Sequence, residues 1–117
     1  MLSLLPDALI EENVTTQHRL RIAVKRFRYR VEYLAPIASN DYKSVYSVIK
    51  EFQEVLGRLH DLDVFRGIAQ ETILEQTLLD SVEKSIADCR KLLFAEFLKL
   101  QTADPLDEIG RRVRGLL

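Results

Sequence analysis

Apolar side chains recur at three- and four-residue spacing along most of the chain. This is the period of an amphipathic α-helix, and no stretch shows the sustained two-residue alternation or the turn signal of a β-hairpin. We therefore predict an all-α fold, an antiparallel helical bundle of about four main helices. The predicted helical segments are residues 16–35, 40–59, 62–73, 78–100 and 106–117.

Capping residues mark the ends of two of these segments. Thr15 or Thr16 provides an N-cap for the first long helix, and Pro36 ends it. Asp104 and Pro105 form a cap and first turn for the final helix in the same way. The sequence therefore predicts the first and last helices independently of their apolar pattern.

The middle of the chain contains a predicted break near residues 57–61. Glycine weakens a helix interior, so Gly57 is predicted to serve close packing or a bend. The helical period then resumes, and the sequence leaves open whether a new helix or a kinked continuation follows. In the two segments after the break, the predicted buried seam includes Phe65, Ile68 and Cys89.

The composition indicates one domain. The chain has 117 residues, 47% of them hydrophobic, which suits a single packed domain over residues 1–117. Its single cysteine excludes a disulfide within the chain and favours the cytoplasm. Apolar runs are too short to cross a membrane, and residues 1–6 lack the features of a signal peptide. We therefore expect a cytoplasmic protein with no membrane partner.

The overall charge conceals one strongly cationic segment. Lys and Arg number 17 against 18 Asp and Glu, and this net charge of −1 argues against a general nucleic-acid binder. Six of the basic residues, however, fall between Arg19 and Arg30 with no acid among them. Like charges four residues apart, as at Arg21 and Lys25, destabilise a helix by about a few tenths of a kcal/mol. This uncompensated repulsion points to a polyanion that neutralises it.

The cationic segment forms two stripes when placed on a helix. The first stripe borders the predicted core and contains His18, Arg21, Lys25 and Arg28, with Tyr29 beside them. It either binds a polyanion or is a solvated face whose charges pair with acids of other helices. A second stripe is predicted to face solvent and consists of Arg19, Arg26 and Arg30.

A second motif, LGRLHDLDV, occupies residues 56–64. One interpretation is that Asp61 orients a basic residue of the first helix while His60 adds a hydrogen-bond donor to the same site. The other is that both residues cap helix ends at the predicted break. For His18, a hydrogen-bonding role at the start of its helix competes with a role in ligand binding.

The two motifs together resemble the CHAD domain, the conserved histidine α-helical domain. The pattern HxxRIxxKRxRYxxE at residues 18–32 precedes LGxxHDLDV at residues 56–64 with the expected gap. The resemblance covers residues 17–75 and implies an all-helical, non-catalytic module that binds inorganic polyphosphate. It also implies that Asp61 supports the basic residues and that the polyphosphate-binding residues are His18, Arg21, Lys25, Arg26, Arg28, Tyr29 and His60.

The chain carries one copy of this motif pair. CHAD domains consist of two similar helical bundles around a basic channel, so the sequence resembles a single half, either a short member or a fragment. We expect a symmetric homodimer that places two cationic helices around one channel.

Other function classes compete with polyphosphate binding. Nucleic acid is disfavoured because only Tyr29 and Tyr33 could stack on bases beside the cations. An enzyme is disfavoured because the chain has two histidines, no paired cysteine ligands and no glycine-rich phosphate loop. We therefore predict no catalytic residue, no metal site and no cofactor, whereas docking of an acidic protein stays open.

Overall fold

The computed structural model describes residues 2–34, 36 and 42–115, and in these residues the chain is all-α, as predicted. The predicted helix ends at residues 35, 40 and 116–117 lie outside the described residues. After a 3-10 turn at Leu2–Leu4, the helices are α1 (Leu5–Ala8), α2 (Val14–Leu34), α3 (Tyr42–Thr72), α4 (Gln76–Ala103) and α5 (Leu106–Gly115).

Helix α2 starts at Val14, before both predicted caps, Thr15 and Thr16. Asn13 immediately precedes it, and its side-chain Oδ1 accepts a hydrogen bond of 3.0 Å from the Thr16 hydroxyl. The Asn13 carbonyl oxygen accepts the first helical bond, from the Gln17 amide at 3.1 Å. Asparagine is among the best N-cap residues, which explains why the helix begins here.

Helix α3 is continuous, so the predicted break near Gly57 is wrong. It extends for 31 residues, about 46 Å. Glycine costs a helix about 1 kcal/mol relative to alanine, but the buried side chains of Val55, Leu56 and Leu59 on either side anchor the helix in the core. His60 and Asp61 therefore lie inside a helix, and the interpretation of these two residues as caps is also wrong.

The hydrophobic core lies where the first half of α3 meets α2, the second half of α4 and α5. The rings of Phe52 and Phe97 meet edge to face at its centre, with centroids 6.3 Å apart. The largest fully buried side chains are Phe52, Phe97, Leu20, Ile49, Leu56, Leu59, Leu106, Ile109, Val24, Val31 and Val45. This core fixes α2 against α3 and so positions the two sequence motifs.

Beyond this core, the rest of α3 and the start of α4 form a two-helix hairpin that lengthens the molecule to 56 Å. Phe65 and Ile68 are each 53% exposed and Cys89 is exposed, so their prediction as buried seam residues is wrong. Only two helices pack here, and each can cover only one face of the other. No helix in residues 2–34 and 42–115 combines the length and apolar character that a membrane crossing requires.

Helix α5 begins at Leu106, directly after Pro105. Its first amide donates a hydrogen bond of 3.1 Å to Oε1 of Gln101, so Gln101 and not the predicted Asp104 satisfies it. Asp104 instead forms an ion pair of 3.6 Å with Arg112. The predicted position of the final helix is correct, whereas the residue that binds its first amide differs.

Candidate functional site

Helices α2 and α3 pack antiparallel and bring the two sequence motifs together. The start of the α2 stripe meets the second motif, where the rings of His18 and His60 stack with centroids 4.2 Å apart. At the other end, Arg28 donates a hydrogen bond of 2.8 Å to Gln53 of α3. The first basic stripe therefore lies along the seam between α2 and α3.

The stacked imidazoles form one end of this seam. Among the described residues, the buried Nδ1 of His18 has no hydrogen-bond partner. Burial lowers the pKa of His60, and the neighbouring charges of His18 and Arg21 lower it further, while Asp61 and Asp63 oppose them. His60 is therefore predominantly neutral at pH 7, so it adds a hydrogen-bonding group and not a positive charge.

Arg21 lies against α3 at the second motif. A Cβ atom at Gly57 would stand 3.9 Å from Nε of Arg21, an ordinary contact distance. A methyl group therefore fits between α3 and Arg21, whereas a longer side chain at this position would meet Arg21. Gly57 lies within a continuous helix and does not mark a bend.

Arg28 is held in a hydrogen-bond network. Its Nε lies 3.2 Å from both Glu32 Oε1 and the Tyr46 hydroxyl, and that hydroxyl donates to Glu32 at 2.7 Å. The hydrogen bond from Tyr46 and then the one from Arg28 lower the pKa of Glu32. With Gln53 on its other side, Arg28 connects α2 to α3 and has a clear structural role.

The remaining α2 cations differ from Arg28 in their lack of an ion pair among the described residues. Within the described parts of the chain, no carboxylate lies within 4.0 Å of any of them, so the pairing with acids of other helices is not observed there. Lys25 is exposed and Arg21 is partly buried at the seam. The cations on the second stripe are exposed, as predicted, and these are Arg19, Arg26 and Arg30.

Tyr29 and Asp61 lie at the margins of the seam. The Tyr29 side chain is 44% exposed, and the guanidinium carbon of Arg28 lies 5.8 Å from its ring centroid. Asp61 is exposed next to His60, and within residues 2–34 and 42–115 it has no ion pair shorter than 4.0 Å. Any support that Asp61 gives to the basic residues therefore acts through the field of its charge and not through direct contact.

A polar cluster centred on Arg90 of α4 was not predicted from the sequence. Arg90 Nε forms an ion pair of 2.8 Å with Asp63, and its guanidinium also donates to Gln17 Oε1 and to the Glu11 carbonyl oxygen at 3.0 Å. Gln17, only 3% exposed, donates in turn to the carbonyl oxygens of Ile10 at 2.8 Å and Glu11 at 3.2 Å. The helical period alone could not connect residues so distant in sequence.

The side chains along the α2–α3 seam can bind phosphate groups. In the described residues, no three His, Cys, Asp or Glu side chains are grouped so as to hold a metal ion. The seam instead offers guanidinium groups, an ammonium group and two imidazoles. Arginine binds phosphate oxygens with two parallel hydrogen bonds, and lysine acts as a point charge.

Comparison with protein families matches residues 2–70 to the CHAD domain. This match spans more than half of the 117 residues, and the chain belongs to the CHAD domain family. Both sequence motifs fall within the matched region, so the resemblance inferred from them is confirmed. CHAD domains in general bind polyphosphate and are binding modules rather than enzymes. No curated protein and no solved structure matches the chain.

Proposed function

We propose that this protein is a non-catalytic module that binds inorganic polyphosphate through the α2 stripe. The observation that carries the proposal is the uncompensated charge of α2. Five of its six cations have no carboxylate within 4.0 Å among the described residues, although like charges stand four residues apart. A bound polyanion removes this repulsion.

Helical spacing suits such a ligand. Residues three or four positions apart on a helix lie about 5–6 Å apart, so Arg21, Lys25 and Arg28 offer successive contacts along a phosphate chain. We assign the main charge interactions to Arg21 and Lys25, because Arg28 already pairs with Glu32. The remaining predicted contacts are His18, Arg26, Tyr29 and His60, with Asp61 as a supporting residue.

We further propose that two copies associate in the cytoplasm and place their α2 stripes around one channel. Such an isologous arrangement brings like charges together, so polyphosphate favours it by neutralising both stripes. Light scattering tests this part separately. We expect a dimer in the presence of polyphosphate, and a monomer both with and without polyphosphate would refute it.

The binding site is tested with two charge-matched double variants. Arg21→Ala with Lys25→Ala removes two charges at the α2–α3 seam, whereas Arg19→Ala with Arg30→Ala removes two from the exposed stripe of the same helix. We expect the first pair to weaken polyphosphate binding by about tenfold or more and to lower its salt dependence. Equal affinities for the two double variants would contradict the assignment.

Two further assays distinguish polyphosphate binding from RNA binding and from catalysis. Tyr29 and Tyr33 are 44% and 86% exposed, and base stacking on them would favour single-stranded RNA. We expect polyphosphate to displace labelled RNA and excess RNA not to displace polyphosphate. Release of phosphate from polyphosphate in the presence of Mg²⁺ or Mn²⁺ would show an enzyme and overturn the non-catalytic assignment.

A further inference from the structure

An open groove of about 370 Å³ runs beside the α2–α3 seam. Arg28 of α2 lines one side, and residues of α3 between Lys50 and Asp61 line the other. The groove therefore contains cations from both helices, whereas every cation predicted from the sequence to bind phosphate lies on α2.

Two cations of α3 border this groove, Lys50 and Arg58. They are eight residues apart, which separates them by about 12 Å along the helix axis. Lys50 is exposed and, among the described residues, has no carboxylate within 4.0 Å. Lys50 lines the groove together with Arg28 of α2, so the groove offers a phosphate chain positive charge from a second helix.

Arg58 is engaged by an acid from its own helix. Its Nη2 lies 2.8 Å from Oε1 of Glu54, which also lines the groove. The two side chains are 57% and 59% exposed, and ion pairs of such exposure are weak because water and salt screen them. A ligand that brings several negative charges into the groove can therefore replace Glu54 as the partner of Arg58.

We propose that α3 supplies Lys50 and Arg58 as a second row of polyphosphate ligands, and that Glu54 is an internal counter-ion that polyphosphate displaces from Arg58. This inference rests on the proposed function and extends it from one helix to the groove between two. Glu54 holds the Arg58 side chain at the groove in the absence of a ligand, and its negative charge opposes anion binding until it is displaced.

The first test compares two charge-matched double variants. Lys50→Ala with Arg58→Ala removes the two groove cations. Arg66→Ala with Lys84→Ala removes two exposed cations of the hairpin, and Arg66 is closely matched to Arg58 because it is 56% exposed and also pairs with a glutamate. We expect the groove variant to bind polyphosphate about three- to tenfold more weakly, with a smaller salt slope, and the hairpin variant to bind as the unmodified protein does.

The second test predicts a gain of affinity. Glu54→Gln removes the counter-ion, and Glu51→Gln removes an exposed acid one turn away that does not line this groove. We expect Glu54→Gln to tighten polyphosphate binding by about two- to fivefold, more at low salt, and Glu51→Gln to leave it unchanged. A gain of affinity cannot result from misfolding, so this variant keeps the inference falsifiable if the alanine variant loses helicity.

The outcomes distinguish this inference from the function on which it rests. If the Lys50/Arg58 variant and Glu54→Gln bind as their controls do while the Arg21/Lys25 variant binds weakly, the second row is refuted and the α2 site stands. If the unmodified protein does not bind polyphosphate at moderate salt, the proposed function itself fails.

Discussion

Two arginine-containing regions of this molecule differ in how their charge is balanced. Arg90 is 13% exposed, pairs with Asp63 and connects α4 to α3, to Gln17 of α2 and to the segment before α2. Arg21 and Lys25 have no acid within 4.0 Å among the described residues. An arginine thus connects three elements of the fold in one place, whereas the cations of the other region have no carboxylate partner among the described residues.

The largest effect on stability is expected at Arg90. Arg90→Ala leaves Asp63, Gln17 and the Glu11 carbonyl oxygen without their partner, so we expect the unfolding free energy to fall by about 2–3 kcal/mol. Urea unfolding measures this loss. Arg66→Ala breaks an exposed pair on the same hairpin and should change stability by less than about 0.5 kcal/mol. Equal losses for the two variants would show that Arg90 is not a structural centre.

Two substitutions at Gly57 test stability and polyphosphate binding separately. Gly57→Ala should raise the unfolding free energy by about 0.5–1 kcal/mol, because alanine favours helix and a Cβ fits at ordinary contact distance. The longer side chain of Gly57→Met should displace Arg21 and weaken polyphosphate binding.

Gly67 provides the matched control, since it lies on the same helix and a Cβ there meets nothing within 4 Å. Gly67→Ala and Gly67→Met should change stability similarly without affecting polyphosphate affinity. Unchanged affinity in Gly57→Met would contradict a role for this approach of Arg21 to α3.

Removing the uncompensated charges should not lower the unfolding free energy, in contrast to the Arg90 substitution. Arg21→Ala with Lys25→Ala relieves repulsion within α2, so we expect the unfolding free energy to stay constant or rise by about a few tenths of a kcal/mol at low salt. The measurement is urea unfolding at two salt concentrations. A loss comparable to that of Arg90→Ala would show that these residues are structural after all.

The smallest predicted effect is a pH dependence at His60. Its pKa in the folded protein lies below the ordinary value of 6.5, chiefly through burial, so the unfolded chain binds a proton more readily. The neutral form of His60 therefore contributes to the unfolding free energy above pH 6.5. This contribution is lost as the pH falls from 6.5 towards the lower pKa of the folded protein. Urea unfolding of the unmodified protein, measured at several pH values between about 7.5 and about 5.5, should show this loss. In His60→Gln the unfolding free energy should change less with pH. An identical pH dependence in both proteins would contradict the lowered pKa of His60.

The sequence predicted the helical fold and the α2 stripe, but not which apolar faces are covered. Periodicity identifies the apolar side of a helix, and Val45, Ile49 and Phe52 are buried because α2, α4 and α5 pack around them. Phe65 and Ile68 continue the same period, yet they lie beyond α2 and α5, in the hairpin where α3 packs against α4, and are exposed. The presence of a third helix against a given face is a property of tertiary structure.

The candidate site, too, could be predicted from the sequence only in part. The motifs contained the residues that the structure brings together at the seam, including His18, His60 and Arg21. They did not contain the α3 cation Lys50, and Arg58 lies within the second motif but had no predicted role there, because the groove exists only once two helices pack. The Arg90 cluster joins residues 73 positions apart, so no local pattern could predict it.

Protection of lysines from acetylation by polyphosphate tests the central claim most directly. Lys25 on α2 and Lys84 and Lys91 on α4 are all exposed, so they are comparably accessible to the reagent without ligand. We predict that polyphosphate at moderate salt protects Lys25 strongly and leaves Lys84 and Lys91 reactive, as read by mass spectrometry. Equal protection of all three lysines, or none at Lys25, would contradict the assignment of the α2 stripe as the polyphosphate site.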